Sequence, residues 1–183
     1  MKQLDLIVRI GVSCAVVATS VISLGAFAQQ EAPRASPIAT VSAEVGGAQV
    51  SITYGRPFMK GRQVAGGLIP YDSVWRTGAN EATTLKTDAM LMFGSLHVGA
   101  GEVTLWTQAA ESGAWKLILN KETGQWGTAY NAENDLGRVE MTLEKLETPV
   151  EQFTIAIEPG TGNAGRIVMT WDTVKMIVPF SVM

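Results

Sequence analysis

Apolar and polar residues alternate with a period of two in many short segments of this chain. The alternation is clear at 50–54, 103–107, 115–119 and 153–157. Gly, Asn, Asp or Pro residues bound these segments, and no segment after residue 28 shows sustained apolar spacing of 3.6 residues. This pattern predicts an all-β protein, an antiparallel β-sandwich or barrel-like fold of about nine or ten short strands.

The first strands predict a hairpin that leads into one long loop. A weakly alternating segment, 40–45, and a clearly alternating segment, 50–54, flank the turn residues Gly46 and Gly47. The next stretch, residues 54–83, has no regular period and reads YGRPFMKGRQVAGGLIPYDSVWRTGANEAT. Long irregular segments in compact domains often carry function, so the candidate site is placed here.

The N-terminal 28 residues are predicted to be a secretory signal peptide. Lys2 and Arg9 precede an apolar stretch that ends in the small-x-small sequence 26–28. A retained membrane anchor is the alternative, because the stretch is nearly long enough to span a bilayer. We expect a flexible lead-in at 29–37 and one β domain at 38–183. We also expect export to the periplasm or the extracellular space, with no stable membrane insertion after cleavage.

The charge balance argues against nucleic acid as a partner. Removing the segment 1–28 leaves 12 Lys and Arg against 16 Asp and Glu, a net charge of −4. The charge is unevenly spread, because residues 54–80 carry four cations and one acid, whereas residues 131–158 carry seven acids and two cations. A cation-rich loop on an acidic chain favours a small anionic or carbohydrate ligand.

Several classes of chemistry are excluded by residue content. The predicted mature chain has one histidine, His97, and no cysteine, since Cys14 lies in the signal peptide. A structural zinc site of Cys and His ligands and a cysteine nucleophile are therefore ruled out within one subunit. His97 lies between two apolar residues near a turn, which is typical of a solvent-facing strand residue. The sequence predicts neither a metal nor a cofactor.

The long loop offers two kinds of binding group. Arg56, Arg62 and Arg76 could hold a carboxylate or phosphate through paired guanidinium hydrogen bonds. Trp75, and Trp126 in a second irregular loop at 121–134, could supply flat stacking surfaces.

Each of these residues also has a structural interpretation. Arg76 could pair with Glu81, and Arg56 and Arg62 could donate to backbone carbonyls of the loop. Tryptophans of β proteins commonly lie in the core. Asn80 and Asn120 could stabilise turns.

The motifs YGRP, KGR, GGLIPY and VWRTGANEAT, followed by LILNKETGQWGTAYN, closely resemble the hallmark of a bacterial family known as domain of unknown function 2911. The resemblance covers residues from about 36 to 180. It implies an exported β protein and brings no established activity. It marks signature positions without saying whether they bind a ligand or support the fold. The residue types in and around these positions give the candidate ligand-binding residues: Arg56, Lys60, Arg62, Trp75, Arg76, Asn80, Glu81, Asn120 and Trp126.

Three functions remain open from the sequence. The first is a non-catalytic binding module for a small anionic or carbohydrate ligand at the Arg-rich loop. The second is a metal-free hydrolase or lyase in which Glu81 and Asp72 act as acid and base across a cleft. The third is a structural or interaction domain in which the Arg-rich loop anchors the fold. We further predict that the loop 121–134 lies beside the first loop.

Overall fold

A computed structural model describes residues 34–183 of the chain. The predicted signal peptide and residues 29–33 of the lead-in lie outside the described residues. The strands are β1 Ile38–Val45, β2 Ala48–Gly55, β3 Val74–Trp75, β4 Thr83–Thr87, β5 Leu91–Phe93, β6 Leu96–Val98, β7 Gly101–Gln108, β8 Lys116–Asn120, β9 Asp135–Glu140, β10 Thr142–Pro159 and β11 Ala164–Val182. Within residues 34–183, the helical content is one short 3-10 turn, Ala132–Asn134, and no helix could cross a bilayer.

Two antiparallel sheets pack against each other, which confirms the predicted all-β sandwich. One sheet has the order β1-β2-β4-β7-β8-β9, with β3 paired to β7, and the other has the order β10-β11-β5-β6. The predicted hairpin is present, because β1 and β2 pair in register around Gly46 and Gly47. Both glycines have positive φ, of 56° and 84°, as a two-residue hairpin turn with this twist requires.

The strands of the second sheet are longer than the sequence predicts. Strands β10 and β11 span 18 and 19 residues and pair along most of their length. Asp172, which the sequence places in a turn, has a φ of 52° inside β11. The register between the two strands shifts on both sides of Val150, opposite Asp172. Pro149 and Asp172 therefore lie in bulges of continuous strands and do not end them.

The core between the sheets contains a cluster of four aromatic residues. Trp75 stacks on Trp171 with ring centroids 5.8 Å apart, and Phe153 makes edge contacts with both. Tyr54 of β2 packs on Phe153 of β10, and its hydroxyl oxygen accepts a hydrogen bond of 2.8 Å from the Ile155 amide. The Tyr54 side chain therefore joins the two sheets through both packing and a buried hydrogen bond.

The long loop lies on the sandwich and is fastened to β10. The Met59 amide donates to the Glu151 carbonyl, and the Phe153 amide donates to the Pro57 carbonyl, both at 2.9 Å. Val64 of the loop is buried in the core. These bonds satisfy backbone groups of an irregular segment and fix its position relative to the sheet.

We predict that Tyr54→Phe lowers the free energy of unfolding by about 1–3 kcal/mol, because the buried Ile155 amide loses its partner. Tyr71→Phe is the matched control. The Tyr71 hydroxyl has no hydrogen bond within residues 34–183, so its loss should change stability by less than about 0.5 kcal/mol. Urea unfolding followed by tryptophan fluorescence measures both variants. Equal effects would show that the Tyr54 hydroxyl does not join the sheets.

Candidate functional site

The candidate site is built on a seven-residue excursion between β3 and β4, residues 76–82 (RTGANEA), here called the 76–82 excursion. Trp75 of β3 lies opposite Thr107 of β7, and Thr83 of β4 lies opposite Leu105. A single β7 residue, Trp106, thus separates the two pairing points, and seven residues of the chain leave the sheet between them. Two strands that share one side of β7 therefore fix both ends of the excursion.

Threonine hydroxyls and glycines hold the excursion against the sheet. The Thr77 and Thr107 hydroxyls are 2.8 Å apart, and the Thr83 hydroxyl donates to the Thr77 carbonyl at 2.7 Å. A Cβ added at Gly55 would overlap the Ala79 carbonyl, and one at Gly78 would lie 2.8 Å from the Thr83 hydroxyl oxygen. The backbones can approach this closely only because neither position carries a side chain.

Two residues of the excursion adopt the left-handed backbone region. Thr77 has a φ of 51° and Asn80 a φ of 65°. Asparagine tolerates this region, but a β-branched residue rarely adopts it, at a cost on the order of 1–3 kcal/mol. The hydrogen bonds of Thr77 offset this strain and keep the excursion in a single conformation.

The second loop packs directly on the excursion, as predicted. The Gly127 amide donates to the Asn80 carbonyl at 2.8 Å, and Glu81 forms an isolated antiparallel bridge with Trp126. A Cβ added at Gly127 would lie 2.6 Å from Cδ of Arg76. The Arg76 stem therefore lies against the Gly127 backbone.

A cleft of about 270 Å³ opens beside the excursion. Its lining residues are Ser36, Pro57, Arg62, Leu68, Trp75, Arg76, Gly78, Ala79, Asn80 and Trp171. The lining includes two cations and no acid. Three polar side chains among the predicted ligand-binding residues thus lie around this cleft: Arg62, Arg76 and Asn80.

Of the two cations that line this cleft, Arg76 is the one whose guanidinium has no hydrogen-bond or ion-pair partner among residues 34–183. Within residues 34–183 its side chain makes no hydrogen bond and no ion pair. The residue is half-buried. The predicted alternative pairing with Glu81 is wrong, because Glu81 bonds to Arg34 at 2.7 Å. All five guanidinium N–H donors of Arg76 therefore lack a protein acceptor in the described part of the chain.

The other cations of the long loop are placed differently. Arg56 does not line the cleft, and its guanidinium donates to the Phe153 carbonyl at 3.2 Å and to the Thr154 hydroxyl at 2.9 Å. Arg62 lines the cleft but also donates to the Met59 and Phe58 carbonyls at 3.0 and 2.8 Å. The prediction that these two arginines bond loop carbonyls is confirmed for Arg62 and wrong for Arg56, whose acceptors lie in strand β10. The prediction that all three arginines converge is wrong for Arg56.

Lys60 lies outside the lining of the cleft. It is exposed, with a φ of 48°, and its backbone amide donates to a carboxylate oxygen of Glu151 at 2.8 Å. This contact orders the turn that precedes Gly61 and leaves the Lys60 ammonium in solvent.

The two predicted tryptophan platforms have opposite environments. Trp75 has 7% of its surface exposed and belongs to the aromatic cluster of the core, so it is not an open stacking surface. The sequence could not reveal that Trp75 is buried, because β3 is only two residues long and so has no alternating pattern that would indicate an inward-facing side chain. Trp126, in contrast, is 52% exposed.

Asn120, the last residue of β8, is a structural residue that holds the second loop. It is fully buried; its amide donates to the Asn131 carbonyl and to an Asp135 carboxylate oxygen, and its carbonyl accepts from the Glu122 amide. Its polar atoms are all engaged, so it has no hydrogen bond to offer a ligand. This outcome matches the predicted turn-stabilising role.

Glu81 and Asp72 do not share a cleft. Asp72 is exposed, with a φ of 57°, and its amide bonds to the Ala109 carbonyl beyond the end of β7. Glu81 lines a second cavity with Arg34, and the hydrogen bond from Arg34 lowers its pKa from the ordinary value of 4.5. The predicted acid and base are thus not brought together across the Arg76 cleft.

Two residues of the site were missed from the sequence. Ser36 lines the cleft, and Arg34 pairs with Glu81 from 47 residues away. Both lie in the segment predicted to be a flexible lead-in, which carries no periodic pattern. Such long-range pairing leaves no signal in local sequence.

Comparison with known proteins gives one family. The family described as protein of unknown function (DUF2911) matches residues 36–180. Neither the curated proteins nor the solved structures contain a significant match to the chain. The match includes the 76–82 excursion, the cleft and the second loop.

We predict that Arg56→Met costs about 1–3 kcal/mol of unfolding free energy, because it removes two part-buried hydrogen bonds. Arg76→Met should cost less than about 0.5 kcal/mol, because no protein bond is lost. Both substitutions remove one positive charge and keep an unbranched apolar stem, so each is the control for the other. Urea denaturation measures them, and equal costs would contradict the assignment of Arg76 as unengaged.

The Glu81 carboxylate should titrate below its ordinary pKa. Because this pKa is lower in the folded than in the unfolded chain, the Arg34 pair stabilises the fold above about pH 4.5. That contribution, below about 1 kcal/mol for an exposed pair, is lost as the pH falls through the folded pKa. Arg34→Gln should raise the Glu81 pKa in an NMR titration. Arg166→Gln, which breaks the exposed pair with Glu158, should leave it unchanged.

Proposed function

The chain belongs to the family of proteins of unknown function DUF2911, and on that premise we propose that the cleft beside Arg76 binds a small organic anion without transforming it. One observation carries the proposal: the half-buried residue Arg76 lines the cleft, and its guanidinium has no hydrogen-bond or ion-pair partner within residues 34–183. A partly desolvated charge without a partner costs free energy. A carboxylate ligand would offset that cost and form paired hydrogen bonds with the guanidinium.

The local charge supports an anion. Arg62 and Arg76 give the cleft lining two positive charges and no negative one, on a chain whose formal net charge is −3. A positive cleft on an acidic protein attracts small anions locally without favouring polyanions such as nucleic acid. The volume of about 270 Å³ is below the usual range for drug-sized ligands, which favours a small molecule.

The hydrogen-bond donors of the cleft are prearranged to different degrees. Arg62 is held by the Met59 and Phe58 carbonyls through two of its five N–H groups, which fixes its orientation and leaves three for a ligand. Arg76 is positioned only by packing of its stem on Gly127. Side chains that are already oriented lose less conformational freedom on binding, so the pair favours recognition of a planar carboxylate.

The chemistry of Glu81 favours binding over hydrolysis. A glycosidase acid needs a raised pKa to carry a proton at neutral pH, whereas the pKa of Glu81 is lowered by Arg34. Asp72, the other predicted carboxylate, lines neither the Arg76 cleft nor the cavities that Glu81 lines. A simple acid and base pair therefore has no support at this cleft.

The anchoring function of the loop falls to other residues. Arg56 and Asn120 make hydrogen bonds that fasten the two loops, and Arg62 bonds carbonyls of its own loop, so these contacts support the structural alternative for those three residues. Arg76 contributes none. We place the proposed binding function in the periplasm or the extracellular space, as the predicted signal peptide implies.

The proposal is tested by titrating the purified protein with acetate, succinate and inorganic phosphate in a calorimeter. We expect saturable binding of at least one anion at low salt, weakened about tenfold or more by Arg76→Met, since a hydrogen bond to a charged group contributes about 1.5–3 kcal/mol.

Arg166→Met is the control for net charge. It removes one cation from an exposed pair with Glu158 and should leave anion affinity within a factor of two. Anion binding that is insensitive to Arg76→Met, or equally weakened by Arg166→Met, would overturn the assignment of the cleft.

A further inference from the structure

A second cavity of about 290 Å³ adjoins the Arg76 cleft. Its lining residues are Arg34, Ala35, Ser36, Asn80, Glu81 and Trp126. Ser36 and Asn80 line both cavities, so the two form neighbouring compartments separated by those residues. A ligand longer than a simple carboxylate could therefore place its charged group in one compartment and its body in the other.

The exposed tryptophan is the main apolar surface of the second compartment. Trp126 is 52% exposed, although its backbone is firmly held by the bridge to Glu81 and by a 2.8 Å bond from the Ala129 amide to the Trp126 carbonyl. Large aromatic side chains are mostly buried in folded proteins. An indole that is exposed on an ordered backbone, inside a cavity, provides a flat surface for a ring.

Asn80 provides the polar group between the compartments. Its left-handed backbone and its carbonyl bond to Gly127 fix its position. Its side-chain nitrogen makes only a long 3.5 Å contact with the Ser36 carbonyl, and its side-chain oxygen has no partner within residues 34–183. The amide can thus both donate to and accept from a ligand, which is the pattern that a sugar hydroxyl needs.

From this arrangement we propose that the ligand is an acidic sugar, a hexuronate residue. Its carboxylate binds Arg76, a ring hydroxyl bonds the Asn80 side chain, and the apolar face of the ring stacks on Trp126. The inference rests on the proposed anion-binding function of the Arg76 cleft and names the class of anion.

A hydroxyl-rich ring fits the second compartment better than a nucleotide. Its wall includes the Glu81 carboxylate, joined to Arg34 at 2.7 Å, and the Asn80 amide, so it presents a carboxylate acceptor and an amide donor. Sugar hydroxyls can bond both kinds of group. The Glu81 carboxylate would repel a doubly charged phosphate more strongly than a singly charged carboxylate, which favours the uronate.

The test compares four probes by calorimetric titration: D-galacturonate, D-galactose, acetate and adenosine monophosphate. We expect D-galacturonate to bind at least tenfold more tightly than D-galactose and acetate. In Arg76→Met, D-galacturonate should bind no more tightly than D-galactose. In Trp126→Ala, D-galacturonate should bind no more tightly than acetate. Trp126→Phe, which keeps an aromatic ring, should restore most of the affinity. Leu136→Ala, an exposed apolar truncation on β9, is the control and should have no effect.

The outcomes separate this inference from the proposed function. If acetate and D-galacturonate bind equally through Arg76 and Trp126→Ala changes neither, the sugar is overturned and the anion cleft stands. If D-galactose binds as tightly as D-galacturonate, the proposal that the sugar carries an acidic group is overturned. Tighter, Trp126-dependent binding of adenosine monophosphate would assign a nucleotide in place of the sugar. If none of the anions binds the wild-type protein, both proposals are overturned.

Discussion

Close backbone packing around the 76–82 excursion is the constraint on which the candidate site depends. Gly55 and Gly127 let neighbouring backbones approach Ala79 and Arg76 at distances that a Cβ would prevent. Because these approaches fix the excursion from two sides, Thr77 is held in a backbone conformation that it would otherwise avoid. Arg76 and Asn80 are therefore presented to the cleft by a rigid support, as recognition of a small ligand requires.

The cations of the long loop divide by whether the protein satisfies them. Arg56 donates two hydrogen bonds to strand β10, and Arg62 donates two to its own loop. Arg76 is left without a partner in the described chain. An arginine that is hydrogen-bonded to a distant strand holds structure together, whereas an unengaged one beside a cleft has its binding capacity available. The same distinction separates Asn120 from Asn80, and Trp75 from Trp126.

Part of the site was predictable because it depends on residue type and short-range pattern. The irregular stretch 54–83 is recognisable by its lack of period and its concentration of cations, and it does carry Arg62, Arg76 and Asn80 into one cleft. The bonding of Arg34 with Glu81 was not predictable, since the partners lie 47 residues apart in sequence. Strand lengths were also mispredicted, because a bulge such as that at Asp172 uses the same residues as a turn.

The sequence by itself determined that the protein is all-β, since period-two alternation can bury an apolar face only in strands, but it left a sandwich and a barrel-like fold open. It also located the candidate loop and excluded zinc sites of Cys and His ligands within residues 29–183 of one subunit. Only the tertiary structure decided which of several chemically identical side chains remains open to a ligand. Hydrogen-bond partners and burial arise from distant segments brought together by the two sheets, so residue type alone cannot distinguish an anchoring arginine from a binding one.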